Sequence, residues 1–173
     1  SSHTGLKGHA KAIRIFCKAK IKKATFLMIG KKIKSVRGCY FQCQLLKFIS
    51  GKNILIKDLT RKQTVAAFKA ADLFLFTSRV ECSPIVLFES IAAKTPFLTS
   101  DVGNAREIIK WTKGGKLLPK DINRSAAILE KYYHHPSELS EMGKAGHVAW
   151  KKKFTWDKIA GEYEILYQSL IHD

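Results

Sequence analysis

Leu73-Phe-Leu-Phe-Thr-Ser-Arg-Val-Glu81-Cys-Ser-Pro-Ile-Val-Leu-Phe-Glu89-Ser-Ile-Ala-Ala-Lys-Thr-Pro-Phe-Leu-Thr99 reads as one complete strand–loop–helix–strand unit. Residues 73–76 form a short apolar run without alternation, the pattern of a strand covered on both faces of a parallel sheet. Ser83-Pro84 sets a capping residue before a first-turn proline, which predicts a helix over 84–94 with Ser83 as its N-cap. Residues 96–99 then form a second apolar run, ended by Ser100-Asp101.

The same alternation continues outward in both directions. Upstream, Ala10, Ile13, Phe16 and Cys17 lie on one stripe and predict a helix over 8–20. Residues 24–30 predict a strand ending at Gly30, residues 31–37 a basic loop, residues 40–49 a helix, and residues 53–57 another strand. Thr60-x-x-Gln63 spells a capping box, so a helix begins at Arg61 and runs to about Ala71. Downstream, a turn at 101–104 leads into a helix through Ile109, followed by a short strand within 114–119. Helices follow over 122–134, from a Ser137 cap to Lys152, and from a Thr155 cap to Ile171. The expected fold class is α/β, a Rossmann-like doubly wound parallel sheet with a helical C-terminal tail. The expected division is one domain over 1–152 and a C-terminal helix over 153–173 packed on it.

The chain has 173 residues, 46% of them hydrophobic, so it can bury a core and is not a disordered segment. No apolar run approaches the roughly 18 residues of a membrane span. Ser1-Ser2-His3-Thr4 carries neither a starting Met nor a basic-then-apolar signal, and reads as the start of a piece cut from a longer chain. Residues 1–57 contain 14 Lys and Arg and no Asp or Glu; residues 1–86 carry 18 basic and 3 acidic groups, net +15. A field of one sign attracts nucleic acid, an anionic membrane surface or phosphorylated substrates, although most exposed lysines simply solvate helix faces. Cys17, Cys39, Cys43 and Cys82 form no C-x-x-C pair, and the six histidines show no metal-binding spacing, so no metal is assigned. The four thiols read as small buried hydrophobes in a reducing compartment.

Ligands of open parallel sheets sit beyond the carboxyl ends of the strands. Here those ends are Gly30, Lys57-Asp58, Thr77-Ser78 and Ser100-Asp101. No P-loop and no G-x-G-x-x-G is present, which argues against a nucleoside triphosphatase and a standard dinucleotide dehydrogenase. Glu81 falls in a loop after a strand, and Glu89 falls about 7–8 Å along the following helix if that helix starts at Pro84. Between them, the N–H groups of Ile85 and Val86 at the positive helix end suit an anion. A phosphate in the middle with hydroxyls at both ends is the layout of a sugar nucleotide. Taken alone, Glu81 reads as an exposed loop acid and Glu89 as a helix-surface acid. Glu89 carries more weight because Ile85, Val86, Phe88, Ile91 and Ala92 surround it with apolar sequence.

Residues 76–104 resemble the Glu-x7-Glu region of family 4 glycosyltransferases, which are retaining, sugar-nucleotide-dependent enzymes of GT-B fold. Lys7-Gly8-His9 is similar to the family's Lys-Gly element. Ala70-Ala-Asp72, Asp101-Val-Gly103 followed by Glu107, and Phe154-Thr-Trp-Asp157 continue the resemblance in order over nearly the whole chain. It covers only the C-terminal, donor-binding half of such an enzyme; the N-terminal acceptor domain is missing. The resemblance implies that Glu89 binds the donor ribose and that Glu81 contacts the donor sugar and assists the reacting centre. It also implies that Lys7 neutralises the diphosphate leaving group beside the backbone of Ile85 and Val86. Ser83, Pro84, Asp58, Gly103 and Asn104 complete the expected nucleotide-sugar site. No metal or other cofactor is implied.

Three positions depart from the family pattern. Ser2 stands where an Arg usually precedes the lysine, with Lys31 or Arg79 as candidate substitutes. Cys82-Ser83-Pro84 replaces a glycine-rich stretch, and Pro84 has no N–H to offer. Asn104 replaces a common glycine. The expected function is transfer of a sugar from a nucleotide-diphosphate donor, by an enzyme of which this chain is a fragment inactive alone. The alternative is a basic α/β module for nucleic acid or an anionic membrane surface; nucleic acid is the weaker partner, since no RNP, KH or zinc motif is present. The expected location is cytoplasmic, with a peripheral place at the inner face of the membrane as the variant the charge suggests.

Overall fold

The structure is a computed structural model that describes residues 5–30 and 39–171. The expected loop over 31–37, including Lys31, and the Ser2 position lie outside the described residues. Five strands alternate with eight helices among the described residues: α1 (His9–Lys18), β1 (Phe26–Ile29), α2 (Cys39–Ser50), β2 (Ile54–Lys57), α3 (Arg61–Ala70), β3 (Phe74–Phe76), α4 (Ile85–Ala92), β4 (Phe97–Thr99), α5 (Ala105–Thr112), β5 (Gly115–Leu117), α6 (Ile122–His134), α7 (Pro136–Lys153) and α8 (Trp156–Ile171). A 3-10 turn at Gly5–Lys7 leads into α1. The capping box is present in both directions, with Thr60 Oγ1 accepting from the Gln63 N–H and Gln63 Oε1 from the Thr60 N–H.

All strand pairs are parallel, in two ladders: β1–β2 and β3–β4–β5. The ladders are joined by helices, not by strand hydrogen bonds. One core layer brings Met28 and Ile54 of the first ladder together with Leu98 of the second, through Ile13 and Phe16 of α1 and Ala126, Leu129 and Tyr132 of α6. The opposite layer packs Leu87 and Ile91 of α4, Phe97 of β4, and Ala105 and Ile108 of α5. Successive residues Phe97 and Leu98 thus serve opposite faces, as a doubly wound sheet requires.

Only β4 is buried at every position. The expectation that residues 24–30 form a strand covered on both faces is corrected: Leu27 and Leu55 lie side by side in register and are exposed. Two caps are also corrected. Pro84, not Ser83, is the N-cap of α4, and His135, not Ser137, precedes α7. In α7 the boundary follows Pro136 at the first helical position, where its missing N–H is no loss; in α4, Pro84 stands one residue before the helix. Of the thiols, Cys43 is buried but Cys82 is exposed, against the expectation of burial. The tail helix begins at Trp156; α8 has no buried residue, and from Glu162 to Ile171 every residue is exposed. The expected packing of the tail on the domain is therefore limited to its start, where Phe154 stacks against Phe88 and Trp111. No described helix is long and apolar enough to cross a membrane.

Candidate functional site

The chain enters the site across the carboxyl end of β3. Leu6 accepts the Arg79 N–H at 2.8 Å, and Thr77 Oγ1 donates to the Gly8 carbonyl at 2.8 Å. Gly8 has φ +66°, and a Cβ built there would stand 1.9 Å from the Thr77 carbonyl oxygen. Only glycine allows this contact, which fixes where Lys7 leaves the backbone.

Lys7 points into the loop after β3. Its Nζ is 2.8 Å from Glu81 Oε1, which also accepts from Ser78 Oγ at 2.6 Å. The Glu81 side chain is only 16% exposed. Burial alone pushes its pKa up, but the bonds from Lys7 and Ser78 outweigh burial and hold the carboxyl below its ordinary value. Glu81 is therefore an oriented carboxylate with an ammonium beside it.

Glu89 sits one turn into α4, about 6 Å along the axis from Ile85. Its Oε1 accepts from the Arg61 guanidinium at 2.7 Å. Arg61 is the first residue of α3, and it lines the same cleft as Ile85 at the start of α4. The α4 entry is tight: the Ile85 N–H donates to the Ser83 carbonyl at 2.9 Å. That bond occupies an amide expected to face the anion. Among the described residues, no backbone acceptor stands against the Val86 N–H, so it is the first amide of α4 open to a ligand.

Lys7, Arg61, Glu81, Ser83, Pro84, Ile85, Val86 and Glu89 all line one cleft of about 1540 Å³. This exceeds the roughly 300–1,000 Å³ of a small-molecule pocket, because the cleft continues down the gap between β1 and β3. Three expected residues are not on it. Asp58 is exposed beyond β2, and Gly103 and Asn104 form a staple behind the loop. Gly103 has φ +52°, with its Cβ position 2.1 Å from the Cys82 carbonyl oxygen, and the Asn104 N–H donates to that same carbonyl at 3.1 Å. Among the described residues, the buried Asn104 Oδ1 has no hydrogen-bond partner.

Arg79, a candidate second cation, is also off the cleft; its charge adds to burial in lowering the pKa of Lys11. Lys22, Lys23 and Arg61 also line the cleft; of these Arg61 is the one that pairs with a site carboxylate, and the sequence reading did not single it out. The signal lay in the rule already used: Arg61 follows a strand end by four residues. Among the described residues, no cluster of three or more His, Cys, Asp or Glu has the arrangement of a metal site.

Comparison with known proteins adds three findings. Residues 1–148 match the family described as glycosyl transferases group 1. N-acetyl-alpha-D-glucosaminyl L-malate synthase of Bacillus anthracis is 28% identical over 137 residues, which are 76% of this chain and 35% of that enzyme. Among solved structures, sucrose-phosphate synthase of Thermosynechococcus elongatus superposes with a TM-score of 0.83 at 21% identity, over 99% of this chain and 44% of that one. Anabaena HepE, solved in complex with UDP, superposes with a TM-score of 0.85 at 16% identity, over 98% and 47%. The chain therefore spans less than half the length of these relatives.

Proposed function

The chain belongs to the group 1 glycosyl transferases, and from that premise we propose that it is the donor half of a family 4, retaining enzyme of GT-B fold. It binds a nucleotide-diphosphate sugar above the carboxyl ends of its strands. An N-terminal acceptor domain, outside this chain, supplies the second wall of the cleft and chooses the acceptor. Residues 1–152 form the nucleotide-sugar unit, and the C-terminal helix within 153–173 is its appendage. Residues 1–148 carry the family match, and the alignment with N-acetyl-alpha-D-glucosaminyl L-malate synthase covers 76% of this chain but 35% of that enzyme, which supports placing the rest of the catalytic apparatus in the other half.

The observation that carries this reading is the pair of carboxylates about the α4 N-terminus, each with its own cation in one cleft. Glu89 accepts the ribose hydroxyls through the oxygen that Arg61 leaves open. The diphosphate lies between, against Lys7 and the Val86 N–H. Glu81 contacts the sugar hydroxyls. In the transfer, the bond from the anomeric carbon to the diphosphate oxygen breaks, a bond to the acceptor oxygen forms, and the acceptor's proton passes to the departing diphosphate. Negative charge grows on the departing diphosphate. Lys7 and the helix end are fixed there in advance, so they stabilise that charge without reorganising.

The test is calorimetric titration of the chain with UDP, GDP and ADP, each with and without its sugar. HepE is solved with UDP and with UDP-glucose, which makes uridine the first base to titrate. Saturable binding of one nucleotide, lost in Glu89→Ala, is the expected result. Lys7→Ala is expected to weaken diphosphates more than the free nucleoside. Undiminished affinity in Glu89→Ala would remove the ribose assignment, and equal losses in Lys7→Ala would remove the phosphate assignment.

A further inference from the structure

Helix α2 is apolar on the side that faces away from the core. Cys43 is fully buried and Leu46 packs partly against the core, which fixes the inward side of the helix. Phe41, Leu45, Phe48 and Ile49 lie on the other side and are 51%, 48%, 88% and 69% exposed. At roughly 100° per residue these four fall within an arc of about 100° directly opposite Cys43. A surface helix ordinarily sets polar residues there, and four contiguous large apolar side chains mark a contact surface.

The charge around the patch identifies its partner. The C-terminal end of α2 is stitched to the segment after α1: Lys52 Nζ donates to the carbonyls of Ala19 at 2.6 Å and Ile21 at 3.1 Å. That segment exposes Lys18, Lys20, Lys22 and Lys23. Glu130, from α6, accepts the Lys20 N–H at 3.1 Å. No Asp or Glu occurs in residues 1–57, so α1, β1, α2 and β2 contribute no negative charge of their own. A protein surface that matched this face would have to be apolar and rimmed by acids. An anionic bilayer offers both at once, acyl chains for the aromatic side chains and headgroups for the lysines.

We propose that the outward face of α2 is a membrane-docking surface that inserts Phe41, Leu45, Phe48 and Ile49 into an anionic lipid interface, with Lys18, Lys20, Lys22 and Lys23 on the headgroups. The helix lies in the interface and does not span it, since 12 residues reach only about 18 Å. Lys22 and Lys23 also line the α4 cleft, whereas Phe41, Leu45, Phe48, Ile49, Lys18 and Lys20 do not, so variants at these six test the proposal independently of the donor reading.

The test is sedimentation of the chain with phosphatidylcholine vesicles, with and without phosphatidylglycerol. Binding is expected only with phosphatidylglycerol and is expected to weaken as salt rises. Phe48→Ser is expected to lower partitioning roughly tenfold with an unchanged melting temperature, because Phe48 touches little of the protein. The Lys18→Gln, Lys20→Gln double variant is expected to lower it by roughly fivefold per lysine. In Phe48→Trp, emission is expected to shift to the blue on vesicles and to be quenched by brominated acyl chains. Absence of binding at every phosphatidylglycerol content, or equal partitioning by Phe48→Ser, overturns the proposal. A dimer in solution that Phe48→Ser dissociates also overturns it, as does single-stranded DNA binding that Phe48→Ser abolishes.

Discussion

Replacing Gly8 with alanine puts the placement of Lys7 to the test. The new Cβ would stand 1.9 Å from the Thr77 carbonyl oxygen and 2.7 Å from its carbon, and both are backbone atoms at the end of β3. Thr77 is held in turn by its own hydroxyl on the Gly8 carbonyl, so neither side yields alone. The left-handed φ of +66° adds a second penalty. The left-handed conformation costs about 1–2 kcal/mol and forced overpacking about 1–3, together roughly 2–5 kcal/mol out of a typical 5–15. At this chain length each kcal/mol lowers the melting temperature by roughly 2–4 °C, so a drop of roughly 4–20 °C is expected. Urea and thermal unfolding followed by circular dichroism measure it. Gly161→Ala is the matched control: Gly161 lies in α8 with nothing near its Cβ position, and is expected to gain roughly 0.5–1 kcal/mol from helix propensity. Equal melting temperatures for the two variants would refute the reasoning. Nucleotide binding should fall with Gly8→Ala as well, since Lys7 shifts relative to Glu81.

Arg61→Ala is expected to leave stability within about 0.5 kcal/mol, since its pair with Glu89 is largely exposed. Nucleotide affinity should drop several-fold as Glu89 loses its orientation, read by titration; unchanged affinity would make the pair incidental. For Glu81 the folded pKa is lowered, so its contribution is present above the ordinary carboxyl range and is lost as pH falls through the folded value. Urea midpoints of the parent chain should therefore decline more steeply on acidification below about pH 5 than those of Glu81→Gln; parallel curves would contradict this. Leu98→Ala, in the core layer that both ladders share, should cost about 2–5 kcal/mol in urea unfolding, and a loss under 1 would mean that layer is loosely packed.

The alternation of elements was legible because each signal is local. The capping box at Thr60 and Gln63, the apolar run of β4 and the helix over 122–134 are decided by residues within one turn or one strand of each other. Boundaries next to proline were less legible, since Ser83 and Ser137 have the right chemistry one and two positions away from the N-cap residues Pro84 and His135. The division into two ladders was not legible at all. A short apolar run states that it is a strand but not which edge it joins, and the exposed faces of Leu27 and Leu55 follow from that pairing. In the site, Glu81 and Glu89 are singled out by strand-end and helix-end rules, and Lys7 only by the family resemblance. Their pairings are not legible, because Lys7 and Glu81 are 74 residues apart and Arg61 and Glu89 are 28 apart.

Those partners change how the charge of the site works. Lys7, Lys22, Lys23 and Arg61 against Asp72, Glu81 and Glu89 sum to 4 − 3 = +1, and the two ion pairs cancel, so the cleft itself attracts a polyanion only weakly by net charge. Recognition there has to be geometric, with hydroxyls meeting carboxylate oxygens and phosphate meeting the cations and the Val86 N–H. Attraction at a distance comes instead from the surrounding half of the chain, where residues 1–86 carry +15. The two contributions respond differently to salt. A field spread over exposed lysines is screened within about 8 Å at physiological ionic strength, while contacts inside a cleft are screened far less. Salt should thus slow the association of a nucleotide diphosphate more than it hastens its dissociation, and stopped-flow rates at low and high salt separate the two. A purely dissociative salt effect would mean that the ion pairs open on binding and that the ligand is held by the lysine field rather than by the cleft.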